Sequence, residues 1–262
     1  MTTSIKITGG IAHGIVVLDR DHRLHGLDDL KNPRWYPIAA VGAPAGICGS
    51  SARGIAAYAA NSVNYLTSIA SPLARWRSLP DWPFAGKGIG GMTGDPVLGF
   101  TVFGDDGDGV QRLFQLAVCD AAPVWKEKAR PPFQIRLIAG DAAGGMLAVG
   151  GDGGNWRSFT TGPDLGSEWQ PGTALPFAVD LMCGDAAGGY VLYGEGQLLG
   201  IDPQGVMSKL APPSFSIVAM TGDLASGVVA VINSEIVAYC PDLAKGMWMI
   251  GAGLPQAGPG PA

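Results

Sequence analysis

A glycine, four residues and a second glycine recur six times along these 262 residues, each time followed by an apolar run. The first glycines are Gly9, Gly49, Gly94, Gly140, Gly184 and Gly222, so the intervals are 40, 45, 46, 44 and 38 residues. A repeat of that length, built from short β-rich segments, cannot bury its apolar face alone. Units of this kind stack radially as the blades of a β-propeller. The expected fold is therefore all-β: a six-bladed β-propeller with four antiparallel strands per blade, the chain starting on the innermost strand of blade one. The blades fall at approximately 3–42, 43–86, 87–134, 135–178, 179–216 and 217–255, leaving a Pro/Gly-rich tail at 256–262. No linker interrupts the repeats, so residues 1–255 read as one domain.

Aligning the units on their glycines exposes the order of strands. The residues before the first glycine are Ile7-Thr8, Ile47-Cys48, Met92-Thr93, Ile138-Ala139, Met182-Cys183 and Met220-Thr221. A large apolar residue always precedes a small one, and strand alternation sends the two to opposite faces. One fills the gap between blades while the other allows close approach. This is the first, axis-lining strand. The glycine segment is a tight hairpin: glycine permits positive φ, and Asp95, Asp141, Asp185 and Asp223 supply carboxylates that can accept from nearby backbone amides. Second strands follow at Ile15–Leu18, Ile55–Tyr58, Phe100–Phe103, Met146–Val149, Tyr190–Tyr193 and Val228–Ile232, all short and rich in β-branched or aromatic residues. Third strands are expected at Val63–Thr67, Leu113–Val118 and Glu235–Tyr239.

The fourth strand carries a second marker. Trp76, Trp125 and Trp169 each have a phenylalanine eight residues on, at Phe84, Phe133 and Phe177. Met207 with Phe215 keeps the spacing in blade five, and Trp35 and Trp248 hold the equivalent place in the first and last blades. These rings read as packing between blades rather than as a stacking platform for sugars or bases. In blade four, Thr161-Gly-Pro-Asp164-Leu-Gly166-Ser-Glu168-Trp169 resembles the Asp-box of sialidase-type (BNR) propellers, with one extra residue between Thr161 and Asp164. Weaker echoes run from Asp120 to Trp125, Asp202 to Met207 and Asp242 to Trp248. The resemblance implies a structural turn between third and fourth strands, away from the active face, so it speaks for architecture alone.

Charge narrows the function classes. Net charge is −5 with no basic run, which argues against tracking a phosphate backbone, so no nucleic-acid partner is expected. No apolar stretch approaches the ~20 residues of a membrane helix, and the opening MTTSIKITGG lacks the apolar core of a secretory signal. The expectation is synthesis in the cytoplasm without membrane insertion. Cys48, Cys119, Cys183 and Cys240 lack CxxC or histidine partners at metal spacing and read as free, buried thiols. Charged residues are only 15% of the chain, a surface poor in charge that suits either covering by partners or a compact Gly- and Ala-rich chain.

Candidate binding residues gather on the turns between second and third strands, which share a face with the blade-to-blade crossings. They are Asp19, Arg20, Asp21, His22, Asn61, Asp105, Asp106, Asp108, Asp152, Asn155, Glu195, Asn233 and Glu235. Asp105, Asp106 and Asp108, interleaved with glycine, carry the one calcium reading, although a distal bidentate Glu is missing. No other cofactor signature is present. Asp21-His22 is a formal acid–base pair. Two functional readings stay open. The first is a non-enzymatic propeller presenting loops to protein or glycan partners, as a component of a large assembly such as a phage virion. The second is a sialidase-like glycoside hydrolase or lyase using Asp105, Asp152, Glu195 and Glu235, since inversion needs two carboxylates ~6.5–9.5 Å apart.

Overall fold

The computed structural model describes residues 4–39, 42–50, 52–59, 62–69, 75–80, 84, 88–105, 107, 109–117, 123–151, 156–161, 169–172, 174–233 and 235–255. Among them every regular element is a strand. The first sheet holds β1 (Lys6–Gly10), β2 (Gly14–Leu18), β3 (Leu24–Leu27) and β4 (Trp35–Ile38); the second holds β5 (Gly46–Ser50), β6 (Gly54–Ala59), β7 (Ser62–Leu66) and β8 (Arg77–Ser78). The third comprises β9 (Ile89–Asp95), β10 (Gly99–Asp105), β11 (Gln111–Leu116) and β12 (Lys126–Lys128); the fourth β13 (Ile135–Asp141), β14 (Gly145–Gly150), β15 (Trp156–Thr161) and β16 (Gln170–Pro171). The fifth comprises β17 (Leu181–Asp185), β18 (Gly189–Gly194), β19 (Gln197–Ile201) and β20 (Met207–Leu210); the sixth β21 (Ile217–Asp223), β22 (Gly227–Ile232), β23 (Ile236–Cys240) and β24 (Met249–Gly253).

Each sheet is an antiparallel meander in chain order, so the architecture is a propeller of four-stranded blades with the first strand innermost. The expected second strands lie inside the observed ones. Third strands are displaced by one or two residues: Ser62–Leu66, Gln111–Leu116 and Ile236–Cys240 instead of the spans read from composition. The shift at β11 follows from Gln111, whose amide extends the pairing across the neighbouring blade. Its Nε2 donates to the Ile135 carbonyl at 2.8 Å, and its Oε1 accepts from the Ile135 N–H at 2.5 Å. A polar residue thus opens the strand because its side chain imitates a ladder rung.

The core is not one mass but a series of apolar clusters, one at each seam between neighbouring sheets. Ile7, Ile15 and Val17 of the first sheet pack with Ala219, Val229 and Val231 of the last. Among the described residues no strand crosses this closing seam, because β1 and β21 each complete their own meander. Two kinds of side-chain hydrogen bond supplement the packing. On the inner strands Thr8, Thr93 and Thr221 donate Oγ1 to the carbonyls of Gly49, Gly140 and Gly9 on the next blade, at 2.5, 2.7 and 2.7 Å. On the rim Trp35, Trp76, Trp125 and Trp169 donate Nε1 to Gly253, Ala39, Pro80 and Ala129 on the preceding blade, at 2.8, 2.8, 3.4 and 2.8 Å. The tryptophans are therefore seam residues, as their spacing suggests, and each works as both packing and donor. Trp248 is the exception: its ring meets Phe215 edge-on at 5.3 Å, while its buried indole N–H has no acceptor.

A second regularity appears across the seams. The small residue of one first strand shares its seam with the large residue of the next: Cys48 with Met92, Cys183 with Met220 and Ala139 with Met182 occupy common clusters. By the same repeat positions Thr8 goes with Ile47, Thr93 with Ile138 and Thr221 with Ile7. Threonine is matched with isoleucine, and cysteine or alanine with methionine. Where a hydroxyl is anchored on a carbonyl, a stiff β-branched partner suffices; where it is missing, the flexible thioether fills the space.

Candidate functional site

The six glycine hairpins bring their turns to one end of the axis. All first glycines have φ between 98° and 119°, and a Cβ on Gly9 or Gly184 would lie 2.4 or 2.3 Å from the carbonyl oxygen of the paired glycine. Only glycine closes the hairpin this tightly. The next residue completes the turn. Asp95 Oδ1 accepts from the amides of Val97 and Leu98 at 2.8 and 2.9 Å, and Asp141 Oδ1 from Ala143 and Gly144 at 2.9 and 2.6 Å. Asp185 Oδ1 accepts from Ala187 and Gly188 at 2.9 and 2.6 Å, and Asp223 Oδ1 from Ala225 and Ser226 at 2.9 and 2.7 Å. In blade two Ser50 takes this role through Oγ, accepting from Arg53 N–H, and in blade one the position is Gly10.

These turns surround a cavity of about 470 Å³ on the axis. Its walls are the first strands, with Ile7, Ile47, Met92, Ile138, Met182 and Met220 contributing one apolar residue per blade. Its mouth carries the turn residues Gly10, Ser50, Asp95, Asp141, Asp185 and Asp223. The charges are unevenly committed. Arg53 crosses from the blade-two turn to Asp95, Nε to Oδ2 at 2.6 Å, with the carboxylate almost wholly buried. Asp223 Oδ2 accepts from the Ser226 hydroxyl. Asp141 and Asp185 spend Oδ1 on their own turns, on adjacent blades of the same rim. Cys48 and Cys183 also line the cavity, as free thiols whose ionisation burial pushes well above the ordinary range. Burial raises the phenols of Tyr58 and Tyr190 in the same way.

The loops singled out from the sequence lie at the opposite end of the blades. Of those residues Asn61, Asp106, Asp108, Asp152 and Asn155 fall outside the described residues. Cys119 and most of the Asp-box segment, 162–168, do so too. Asp19 organises its turn: Oδ1 accepts from the amides of Asp21 and Arg23 at 2.9 and 2.8 Å, and Oδ2 meets His25 Nε2 at 2.9 Å. The histidine–carboxylate contact in this turn is thus His25 with Asp19, while His22 directs Nδ1 to the Pro44 carbonyl at 2.8 Å. Arg20 and Asp21 are exposed. Asp105 Oδ1 accepts from Gly107 and Gly109 at 2.6 and 3.2 Å, the geometry of a turn-forming aspartate. Glu195 Oε1 accepts from Ala178 N–H at 3.4 Å, and Glu195 and Asn233 adopt positive φ at the tips of tight hairpins. Glu235 is exposed, its backbone carbonyl accepting from Leu254. Among the described residues no group of three or more His, Cys, Asp or Glu is placed to hold a metal ion. The carboxylates of Asp19, Asp105 and Glu195 are drawn onto backbone amides of their own surroundings, not toward one another.

Sequence reasoning missed the axial mouth because it treated the turn aspartates one at a time, as turn chemistry. That reading is right for each blade, but the ring brings all six turns to one rim. Arg53 carried no signal of its own; its hint was Ser50 standing where later blades have aspartate.

No family model matches the chain, and no curated protein matches it. Solved structures do. A structural-genomics target provisionally named a gluconolactonase superposes with TM-score 0.62 at 14% identity, over 95% of this chain and 90% of that one. YCF48 bound to D1 peptide superposes with TM-score 0.57 at 13% identity, over 95% and 82%. BBS1N in complex with ARL6DN gives TM-score 0.53 at 16% identity, over 88% and 75%. At such identities the likeness carries the propeller architecture and nothing finer, and the sialidase-type resemblance gains no support beyond that architecture.

Proposed function

We propose that the chain is a binding propeller: the six sheets are the blades of one rigid ring, and the mouth of its axial cavity receives a segment of a partner protein. The observation that carries this reading is the cavity itself. About 470 Å³ is within the range of ligand sites, and each blade contributes one isoleucine or methionine to its walls below a polar mouth. Two solved propellers of similar architecture are described with a bound peptide or protein, which makes such a use of the fold reasonable without transferring their partners. The catalytic alternative rests on Asp105, Asp152, Glu195 and Glu235; the turn roles of Asp105 and Glu195 favour binding over hydrolysis. A place in a virion gains no support from these observations.

Gly10 offers the test. It lines the cavity, and a Cβ there would meet nothing within 4 Å, so Gly10→Trp obstructs the mouth without straining the hairpin. The full chain is panned against a random 12-residue peptide library, and the enriched peptides are measured on wild type and Gly10→Trp. Loss of binding in the variant is expected. Peptides that bind both proteins equally, or a library that yields none, refute the mouth as the site. A glycan array probed with the same pair covers the remaining reading, since glycans held equally by both proteins would move the site to the opposite loops.

A further inference from the structure

Building on that reading of the mouth, we infer that the segment it receives carries a lysine or arginine beside an apolar residue, the cation docking on the arc formed by Asp141, Asp185 and Asp223. The six turn positions are equivalent by repeat, so their differences define the rim. Blades one and two offer Gly10 and Ser50, with no charge. Blade three offers Asp95, whose carboxylate is buried against Arg53 and neutralised by it. Blades four, five and six offer three successive aspartates. Among the described turn positions, unpaired negative charge is thus confined to half of the rim.

The arc is held in a fixed geometry. Each Oδ1 accepts two backbone amides, which hold the carboxylate in one orientation. The Asp223 carboxylate also lies against Gly188 of the neighbouring turn, where a Cβ would come within 2.5 Å of it. Neighbouring turns therefore approach closely enough for one cation to sense more than one carboxylate. A fixed geometry lowers the entropy lost on binding. Below the rim the wall includes an isoleucine or methionine from each blade, suited to an aliphatic side chain or to the stem of the lysine itself. An acidic or neutral segment would leave the arc unpaired and gain nothing from it.

Substitution by asparagine separates charge from structure, because Asn Oδ1 still accepts the two turn amides. The peptides enriched by panning are expected to be rich in Lys or Arg next to an apolar residue. Asp141→Asn/Asp185→Asn should weaken them about tenfold or more and flatten the salt dependence of their binding. A sterically matched pair on the uncharged side of the rim gives an independent reading: Gly10→Glu should bind the same peptides several-fold more tightly than Gly10→Gln. Enriched peptides without excess positive charge overturn the inference, as does binding indifferent to both sets of variants. If Gly10→Trp abolishes binding while the charge variants do nothing, the mouth stands and the cation does not. If Gly10→Trp is without effect, the mouth itself falls.

Discussion

Replacing Thr221 with valine tests what closes the ring. The Thr221 hydroxyl donates to the Gly9 carbonyl at 2.7 Å, and the residue is 8% exposed. Valine keeps the shape, so no cavity forms; the loss is one bond plus a carbonyl facing a methyl group. A net hydrogen bond contributes roughly 0.5–1.5 kcal/mol and an unsatisfied buried acceptor costs roughly 1–3 kcal/mol, so about 1–2 kcal/mol is expected. For a domain of this size that is a fall in Tm of roughly 2–8 °C. Thr8→Val removes the equivalent bond to Gly49, but the two blades it joins are also joined by the chain. The closing seam has no shared strand, so Thr221→Val alone should raise local opening there. Urea unfolding gives the free energies, and hydrogen exchange by mass spectrometry gives the location. Exchange in β1 and β21 should accelerate together in Thr221→Val and not in Thr8→Val. A loss below about 0.3 kcal/mol, or identical exchange patterns in the two variants, would refute the argument.

Three further outcomes follow from the seams. Trp35→Phe and Trp169→Phe each remove an indole donor bonded at 2.8 Å and should cost about 1 kcal/mol more than Trp248→Phe, whose N–H has no acceptor to lose; equal costs by urea unfolding would show the rim bonds to be idle. Cys183→Thr alone should destabilise, because it places a hydroxyl and a β-branch against Met220, whereas Cys183→Thr/Met220→Ile should recover stability, with a coupling of about 0.5–3 kcal/mol in the double-mutant cycle. Cys48, Cys183, Tyr58 and Tyr190 all have ionisation pushed upward, chiefly by burial. The folded state therefore holds their protons where the unfolded chain releases them. Stability should be fully present below about pH 8.5, the ordinary thiol value, and decline as pH rises beyond it; a flat urea midpoint between pH 8 and 10.5 would contradict this.

The parts of the fold that were legible are those written within one repeat. Glycine pairs locate the hairpins because the turn tolerates no Cβ, and the β-branched runs after them are second strands buried on both faces, as at Val228–Ile232. Trp35, Trp76, Trp125 and Trp169 were recognisable as seam residues from their spacing. What they donate to was not, since the acceptors at Gly253, Ala39, Pro80 and Ala129 belong to another repeat and are backbone groups without sequence identity. The pairing of threonine with isoleucine and of cysteine or alanine with methionine was hidden for the same reason: it relates the residue just before the first glycine of one unit to the residue two before the first glycine of the next. Candidate residues were sought on the acidic second-to-third turns because their composition stands out. Asp19 and Asp105 each order their own loop, the commonest reason for an aspartate to sit there.

The same physics that makes the glycine–aspartate turn a blade marker makes its exceptions informative. Ser50 serves its hairpin by accepting a single turn amide without charge, while Gly10 stands there with no side-chain acceptor at all. Folding alone therefore does not require carboxylates at Asp141, Asp185 and Asp223. Four acids at one end of the axis would repel one another, and the Arg53 pairing relieves that strain only at Asp95. Those carboxylates, which order their own turns, are also the charge that the proposed cationic segment would meet at the mouth.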